Sequence, residues 1–265
     1  MPFWRLRNHA AKLQARVGHL TGRSHCAVCG RRIRSFEPLP PYYQSNYERY
    51  RWAYHDAETL SVDAYSCPLC GASDRDRLCA LYLRDRLARP GSQRARILDI
   101  APSEPLRRLL QGLVAGARGG LAYRTADMER EDVDDRIDIT DMRMYPDSAF
   151  DVFLCCHVLE HVADDRRALR ELYRILSPGG WGILLVPILV TLDAIDEDPG
   201  LTDIDERWRR FGQDDHVRCY SKAGFLQRVS EARFHVRSLG VEHFGAAVFA
   251  RGGITERSVL YVVEK

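Results

Sequence analysis

"RILDIAPSEPLRRLL", residues 96–110, decides the fold. It reads as a buried strand ending on an acid, a turn at Ala101, Pro102, Ser103 and Glu104, and then a helix. Working outward, the same alternation continues. "LAYRTAD" is a second strand, "VDDRIDIT" a short third and "AFDVFLCC" a continuous apolar fourth. "DDRRALRELYRIL" is an amphipathic helix stopped by Ser177, Pro178, Gly179 and Gly180. "WGILLVPI", "FHVRSLGV" and "RSVLYVVEK" are further strands, with a helix in "SKAGFLQRVSEA". Buried strands alternating with helices mean an α/β fold with a mostly parallel sheet covered on both faces.

Composition sets the limits. A chain of 265 residues that is 45% hydrophobic can bury a sizeable core. It has no uninterrupted apolar run of the roughly 18 residues that a membrane span needs. Its first residues, "MPFWRLRNHAAKLQARVGHL", lack the apolar centre of a secretory signal. A cytoplasmic protein is expected. Net charge is +2 but uneven: residues 1–35 hold arginines and a lysine and no acid, whereas "DMEREDVDDRIDITD" and "DAIDEDPGLTDIDE" are acidic. Such a basic head suits an anionic partner or a solvated face. Phe3, Leu6, Ala10, Leu13, Val17 and Leu20 have helical spacing, so 1–23 is expected to be a basic N-terminal helix, packed on RNA, a membrane surface or its own domain.

Eight cysteines in a cytosolic chain point to metal or catalysis before disulfides. Cys26-x-x-Cys29 and Cys67-x-x-Cys70 are each followed by glycine, Gly30 and Gly71. Two such knuckles supply four sulfurs, which suits tetrahedral zinc and leaves no open position for water. The site is therefore expected to be structural. The gap between the pairs exceeds the usual spacing. Neither pair sits in the βαβ unit that a redox dithiol needs. Cys79, Cys155, Cys156 and Cys219 read as small buried residues. The expected domains are the helix at 1–23, a zinc-ribbon-like unit at 24–72 and a larger domain at 73–265. The zinc unit encloses an insert with six aromatics between 42 and 54. Its prolines predict an irregular lead-in, and "SDRDRLCALYLRDRL" (73–87) predicts a capped helix.

The turn at 101–104 bears on the cofactor. A dinucleotide needs glycines so that the backbone can approach a pyrophosphate. Pro102 removes an amide and Glu104 adds a repelling charge, so NAD is disfavoured. S-adenosylmethionine carries no phosphate and needs carboxylates for its amine and ribose. Asp99 ends strand one. Asp127 ends strand two, where an acid can accept from two ribose hydroxyls. Asp138 is placed to reach the adenine amino group.

The stretches "ILDIAPSEPLRRLL", "YRTADME", "RIDITDMRMYPDSAFDVFLCCHVLEHVADDRRALRELYRILSPGGWGILLVPI" and "FGQDDHVRCYS" resemble a class I S-adenosylmethionine-dependent methyltransferase of the type-11-like branch. The two knuckles joined to them resemble a bacterial subfamily with an N-terminal CxxC…CxxC zinc ribbon. The resemblance implies a Rossmann-like sheet of seven strands with the last one antiparallel. It implies that Asp99, Ala101 and Ser103 line the methionine end, Asp127 with Met128 the ribose, and Asp138 with Ile139 the adenine. Cys155 to His157 would face the cofactor. Glu160 and His161 resemble the family's recurrent "LEH", read as mainly architectural. A similar layout, with zinc knuckles before the catalytic domain, occurs in guanine-N1 methyltransferases of ribosomal RNA.

Methyl transfer needs alignment and exclusion of water, and a base only where the acceptor loses a proton. His157 and His216 are the candidates for catalysis. The acid-rich run 193–210 lacks the glycine and closing acid of a calcium loop and is read as a lid, with Trp208 and Phe211 closing on the site. Three readings stay open. One is a methyltransferase for a small molecule, glycan or peptide, which the acidic lid favours. The second is an RNA methyltransferase docking through the basic head, the zinc ribbon and aromatics that stack bases. The third is a non-catalytic cofactor-binding scaffold, which the retained Asp99, Asp127 and Asp138 argue against.

Overall fold

The structure is a computed structural model that describes residues 22–89, 94–117 and 120–265. The basic helix expected over 3–20 lies outside the described residues. The described chain opens with β1 (Ser24–His25) and β2 (Arg32–Ile33), paired antiparallel around the first cysteine knuckle. A helix, α1 (Pro41–Tyr50), follows the irregular lead-in expected at the prolines, where no helix was expected. The reason is position: Pro41 opens the first turn, where its missing N–H costs no hydrogen bond. Then comes α2 (Asp74–Ala88), close to the expected span. Ser73 caps it by accepting from the Asp76 amide (3.2 Å), while the Asp76 carboxylate accepts from the Ser73 amide (2.9 Å). This reciprocal pair satisfies two of the helix's orphan donors.

The sheet begins at β3 (Arg96–Ile100), with α3 (Glu104–Gly116) returning to β4 (Ala122–Asp127) and the short β5 (Asp135–Arg136). It continues through β6 (Phe150–Cys156), α4 (Asp165–Ile175) and β7 (Leu176–Leu185). A small pair, β8 (Asp196–Glu197) and β9 (Arg218–Cys219), brackets α5 (Ile204–Phe211). The last elements are α6 (Lys222–Glu231), β10 (His235–Leu239), α7 (Val241–Phe244), α8 (Ala246–Gly252) and β11 (Leu260–Glu264).

Seven strands form one sheet in the order β10-β11-β7-β6-β3-β4-β5. Only β11 is antiparallel to its neighbours. The fold is the α/β, mostly parallel, Rossmann-like sheet expected. Parallel pairing puts the carboxyl ends of β3, β4, β5, β6 and β7 on one edge, which is where such sheets bind ligands. The strands pack tightly face on: a Cβ at Gly182 would lie 2.3 Å from the Phe153 ring, so β7 needs glycine there. Cys26, Ile33, Phe36 and Cys67 share the apolar core of the sheet. Among the described residues, no helix is long and apolar enough to cross a membrane.

Arg77 of α2 joins the knuckles to the sheet domain. Its guanidinium is fully buried and donates to five backbone carbonyls, those of Ala64, Tyr65, Ala72, Gly252 and Gly253. It also sits 3.8 Å from the Phe36 ring centre. Removing it would leave those carbonyls without their donor in a dry site. Arg77→Ala is expected to lower unfolding free energy by about 3–5 kcal/mol in a urea melt. A loss under about 1 kcal/mol would show that the junction holds without it.

Candidate active site at the carboxyl edge of the sheet

The edge starts at β3. Asp99 is 3% exposed and accepts from the Tyr123 hydroxyl at 2.7 Å. Burial pushes its carboxyl up to about 7, against the lowering effect of the Tyr123 hydrogen bond. Ala101 then turns through φ +50°, the left-handed region, with its amide donating to the Ala126 carbonyl at 2.8 Å. The turn thus makes its sharp bend with a small alanine instead of glycine. Ser103 caps α3, accepting from the Leu106 amide at 3.4 Å and donating to Asp76 at 2.7 Å. Asp127, at the end of β4, accepts from the amides of Glu129 (2.8 Å) and Arg130 (3.0 Å). Asp138, beyond β5, accepts from the amide and hydroxyl of Thr140, each at 2.8 Å. Met128 is exposed beside Asp127, whereas Ile139 and Cys155 are buried wall residues.

A second cluster is built around Glu160, which is fully buried. His157 follows β6 at φ +57°, with its amide donating to the Leu185 carbonyl at 2.8 Å. Its Nδ1 lies 2.9 Å from Glu160 Oε1. Arg75 of α2 places Nη1 3.1 Å from both ring nitrogens and donates from Nη2 to the Tyr65 hydroxyl at 2.8 Å. His216 is 3% exposed and donates from Nδ1 to the Phe211 carbonyl at 3.0 Å. His161 Nδ1 lies 3.2 Å from Asp215. Burial alone would push Glu160 up, but the imidazoles of His157, His216 and His161 hold it down to about 2. Burial pushes His216 down to about 4 and also lowers His157, where the Arg75 charge adds to the effect. A cavity of about 40 Å³ opens between Arg75, His157, Pro187 and His216.

The structure therefore brings His157 and His216 together through Glu160. The sequence reading missed Arg75 and Asp76. Both lie in the first turn of α2, where "SDRDR" looks like a solvated cap. The available signal was the number of charges packed between a knuckle and an apolar helix.

The four knuckle cysteines also converge. Their sulfurs lie within 4.8 Å of one another, and those of Cys26 and Cys70 are 3.7 Å apart. Bonds of about 2.3 Å to a tetrahedral ion put sulfurs roughly 3.8 Å apart, so the donor set fits. Gly30 and Gly71 take φ +70° and +76°, each donating back to the carbonyl of the first cysteine of its pair at 2.8 Å. Hydrogen bonding among the sulfurs draws the Cys67 thiol down to about 7. Arg84 of α2 clamps the first knuckle through the carbonyls of Ala27 (2.7 Å) and Val28 (2.8 Å). Of the other cysteines, Cys79, Cys155 and Cys219 are buried, and Cys156 is half-buried 3.9 Å from Cys79.

The aromatic insert and the acid-rich run pack on each other. Tyr47, Trp52, Trp208 and Phe211 are buried in one apolar cluster. Tyr50 stacks on Trp208 at 5.9 Å and donates to Asp205 at 2.5 Å. Gly212, at φ +81°, lets the Trp52 ring approach to where a Cβ would clash at 2.5 Å. The acids are largely paired internally: Asp196 with Arg210, and Glu197 with Arg218 and Arg228.

Residues 121–184 match the family model of a methyltransferase domain. The matched segment runs from β4 to β7 and includes Asp127, Asp138, His157 and Glu160. A search of curated proteins finds no match. Among solved structures, the chain is similar to a SAM-dependent methyltransferase of Archaeoglobus fulgidus (13% identity, 84% of this chain and 100% of that one, TM-score 0.44). It is also similar to one of Mesorhizobium loti (15%, 69% and 96%, 0.42). A third is a chain from the complex of the Haloferax volcanii Trm112 methyltransferase activator with a methyltransferase (17%, 72% and 92%, 0.45). At these scores the likeness says nothing of substrate or site.

Asp99 gives the stability of the sheet a pH signature. Its folded value, about 7, lies above the ordinary 3.8. Between those values the folded state holds the proton more tightly than the unfolded chain, so Asp99 makes stability fall as pH rises. Asp99→Asn removes that dependence. The variant's stability relative to wild type is expected to rise between pH 4 and 7 by up to about 4 kcal/mol. Parallel urea melts at several pH values check this. A constant difference would mean that Asp99 is ionised throughout.

Proposed function

We propose that this chain is an S-adenosylmethionine-dependent methyltransferase acting on a small-molecule, glycan or peptide acceptor. The observation that carries the reading is that the segment matching a methyltransferase domain presents Asp127, Asp138 and His157 at one edge of the sheet. Asp99 follows on the adjoining strand. S-adenosylmethionine, when bound, supplies a methyl group on a sulfonium carbon. Asp99, Ala101 and Ser103 hold its methionine end. Asp127, with Met128 alongside, accepts from the ribose hydroxyls. Asp138 and Ile139 take the adenine, and Cys155 forms the apolar wall between. The chain's remaining task is to align the acceptor and keep water out. His157 and His216 stand where an acceptor proton can be held or taken. Burial keeps both rings in the neutral, proton-accepting form.

Packing supports that acceptor class. A base-stacking platform needs exposed rings. Of the six rings in the insert only Tyr42 is exposed, and Tyr47 and Trp52 are buried. The small cavity beside His157 suits a single functional group better than a polymer's splayed base. Cys26, Cys29, Cys67 and Cys70 hold a structural zinc, and residues 24–72 form a zinc-ribbon-like unit on the methyltransferase domain of 73–265.

The test is methyl-label transfer from S-adenosylmethionine into an extract of a strain lacking the gene. Label is expected in RNase-resistant product and lost with Asp127→Ala. RNase-labile label would move the acceptor to RNA. Neither label nor calorimetric cofactor binding would leave only a scaffold. Separately, Cys67→Ser is expected to release zinc and lower the melting temperature. A variant retaining a full complement of zinc would refute the four-cysteine site.

A further inference from the structure

We propose that Glu160, His161 and His216 bind a single divalent cation, distinct from the ion of the cysteine knuckles, whose open face takes an oxygen of the methyl acceptor. One ligand atom from each residue lies within 4.8 Å of those of the other two. Glu160 is 0% exposed and its Oε2 has no hydrogen-bond partner among the described residues. Native structures rarely leave a buried carboxylate oxygen unpartnered, and an ion is one of the partners that such an atom implies. Oε1 is already engaged by His157 at 2.9 Å.

The histidines are arranged as metal ligands are. His216 donates from Nδ1 to the Phe211 carbonyl at 3.0 Å, and His161 Nδ1 faces the Asp215 carboxylate at 3.2 Å. Each outer contact fixes the ring through one nitrogen and leaves Nε2 with its lone pair, as in sites where a carbonyl or carboxylate orients a metal-bound imidazole. The two rings meet edge to face, with centres 4.7 Å apart. Bonds of about 2.1 Å require the ligand atoms to draw in by roughly an ångström.

Two imidazoles and one carboxylate on one side of an ion leave other positions open. His161 and Asp215 lie partly exposed, which gives an entry path. His216 faces inward and lines the cavity shared with His157 and Arg75. An ion there lies between solvent and the acceptor pocket. The nitrogen-rich set favours a first-row transition ion over magnesium or calcium, which prefer oxygen ligands. With the ion bound, His216 serves as a ligand and His157 is left to take the acceptor proton, while the ion's open positions select an acceptor bearing a hydroxyl or carboxylate oxygen. That role rests on the methyltransferase reading, whereas cation binding itself does not.

The test is titration of the full, zinc-loaded chain with Mn2+, following the paramagnetic signal of the free ion. Mn2+ stands lowest among the first-row divalent ions in affinity, so it does not displace zinc from the thiolates. One saturable site per chain is expected. His161→Asn, on the exposed side of the cluster, and Glu160→Gln are each expected to weaken it by about tenfold or more. Circular dichroism shows that the variants remain folded. Asp127→Ala, which removes the ribose acceptor, is expected to bind Mn2+ as wild type does. No saturable uptake at millimolar Mn2+, or equal affinity in folded His161→Asn, overturns the site and leaves Glu160 as a hydrogen-bonded charge cluster only. Mn2+ uptake by a chain that fails to bind S-adenosylmethionine upholds the site and overturns the methyltransferase reading instead.

Discussion

The buried guanidinium of Arg77 is the contact on which the rest of the molecule depends. A charge in a dry interior is tolerated only when its donors are met, and here five carbonyls from two distant parts of the chain meet them. Those carbonyls lie in the segment ending the second knuckle and in the turn after α8. Arg77 therefore fixes α2 between the cysteine unit and the last strand of the sheet. Everything else on α2 then falls into place along one helix. Arg84 clamps the first knuckle, Asp76 holds Ser103 and Arg75 reaches His157. A single helix carries positional information from the knuckles to the carboxyl edge.

That arrangement ties the small cysteine unit to the carboxyl edge of the sheet. Four thiolates held by two tight glycine turns make a rigid body at little cost in chain length. Its rigidity is transmitted through α2 to the floor of the site, where Ser103 and His157 are each pinned by an α2 side chain. Other buried carboxylates also find partners. Glu58 accepts from Lys222 at 2.9 Å and Tyr261 at 2.7 Å, and Asp165 accepts from Arg228 and Tyr220, each at 2.5 Å. Glu160 differs, with one oxygen engaged and the other bare.

The sheet was legible in the sequence because its strands are local signals. "ILDI", "FDVFLCC" and "WGILLV" are short, continuous and apolar, as strands buried on both faces must be. The strand-end acids were legible for the same reason. Helix α1 was not, because prolines at 38, 40 and 41 read as breakers, although one at the first helical position is harmless. Helices α7 and α8 were missed because Gly240, Gly245, Gly252 and Gly253 punctuate them. The cluster at Glu160 could not be read at all. His216 reaches Glu160 only through the pairing of β8 with β9 and the docking of α5, and Arg75 arrives from a helix on the other side of the knuckles. Convergence of that kind leaves no periodicity in the chain.

The turn at 101–103 shows how far a departure from a familiar pattern can go without loss of form. A left-handed alanine costs roughly 1–2 kcal/mol relative to glycine. Ala101 offsets this by donating a hydrogen bond from its amide to the Ala126 carbonyl on the neighbouring strand, and Pro102 fixes the next φ before Ser103 caps the helix. The bend is thus held from both sides, and Ala101 itself is exposed. What the substitution removes is the bare backbone that a pyrophosphate would approach. What remains is a turn framed by Asp99 and Ser103, with Asp76 behind it. Three oxygen-bearing side chains thus surround a strained but well-held bend, and it is these side chains, more than bare backbone, that the sequence at 96–110 places at the end of the first sheet strand.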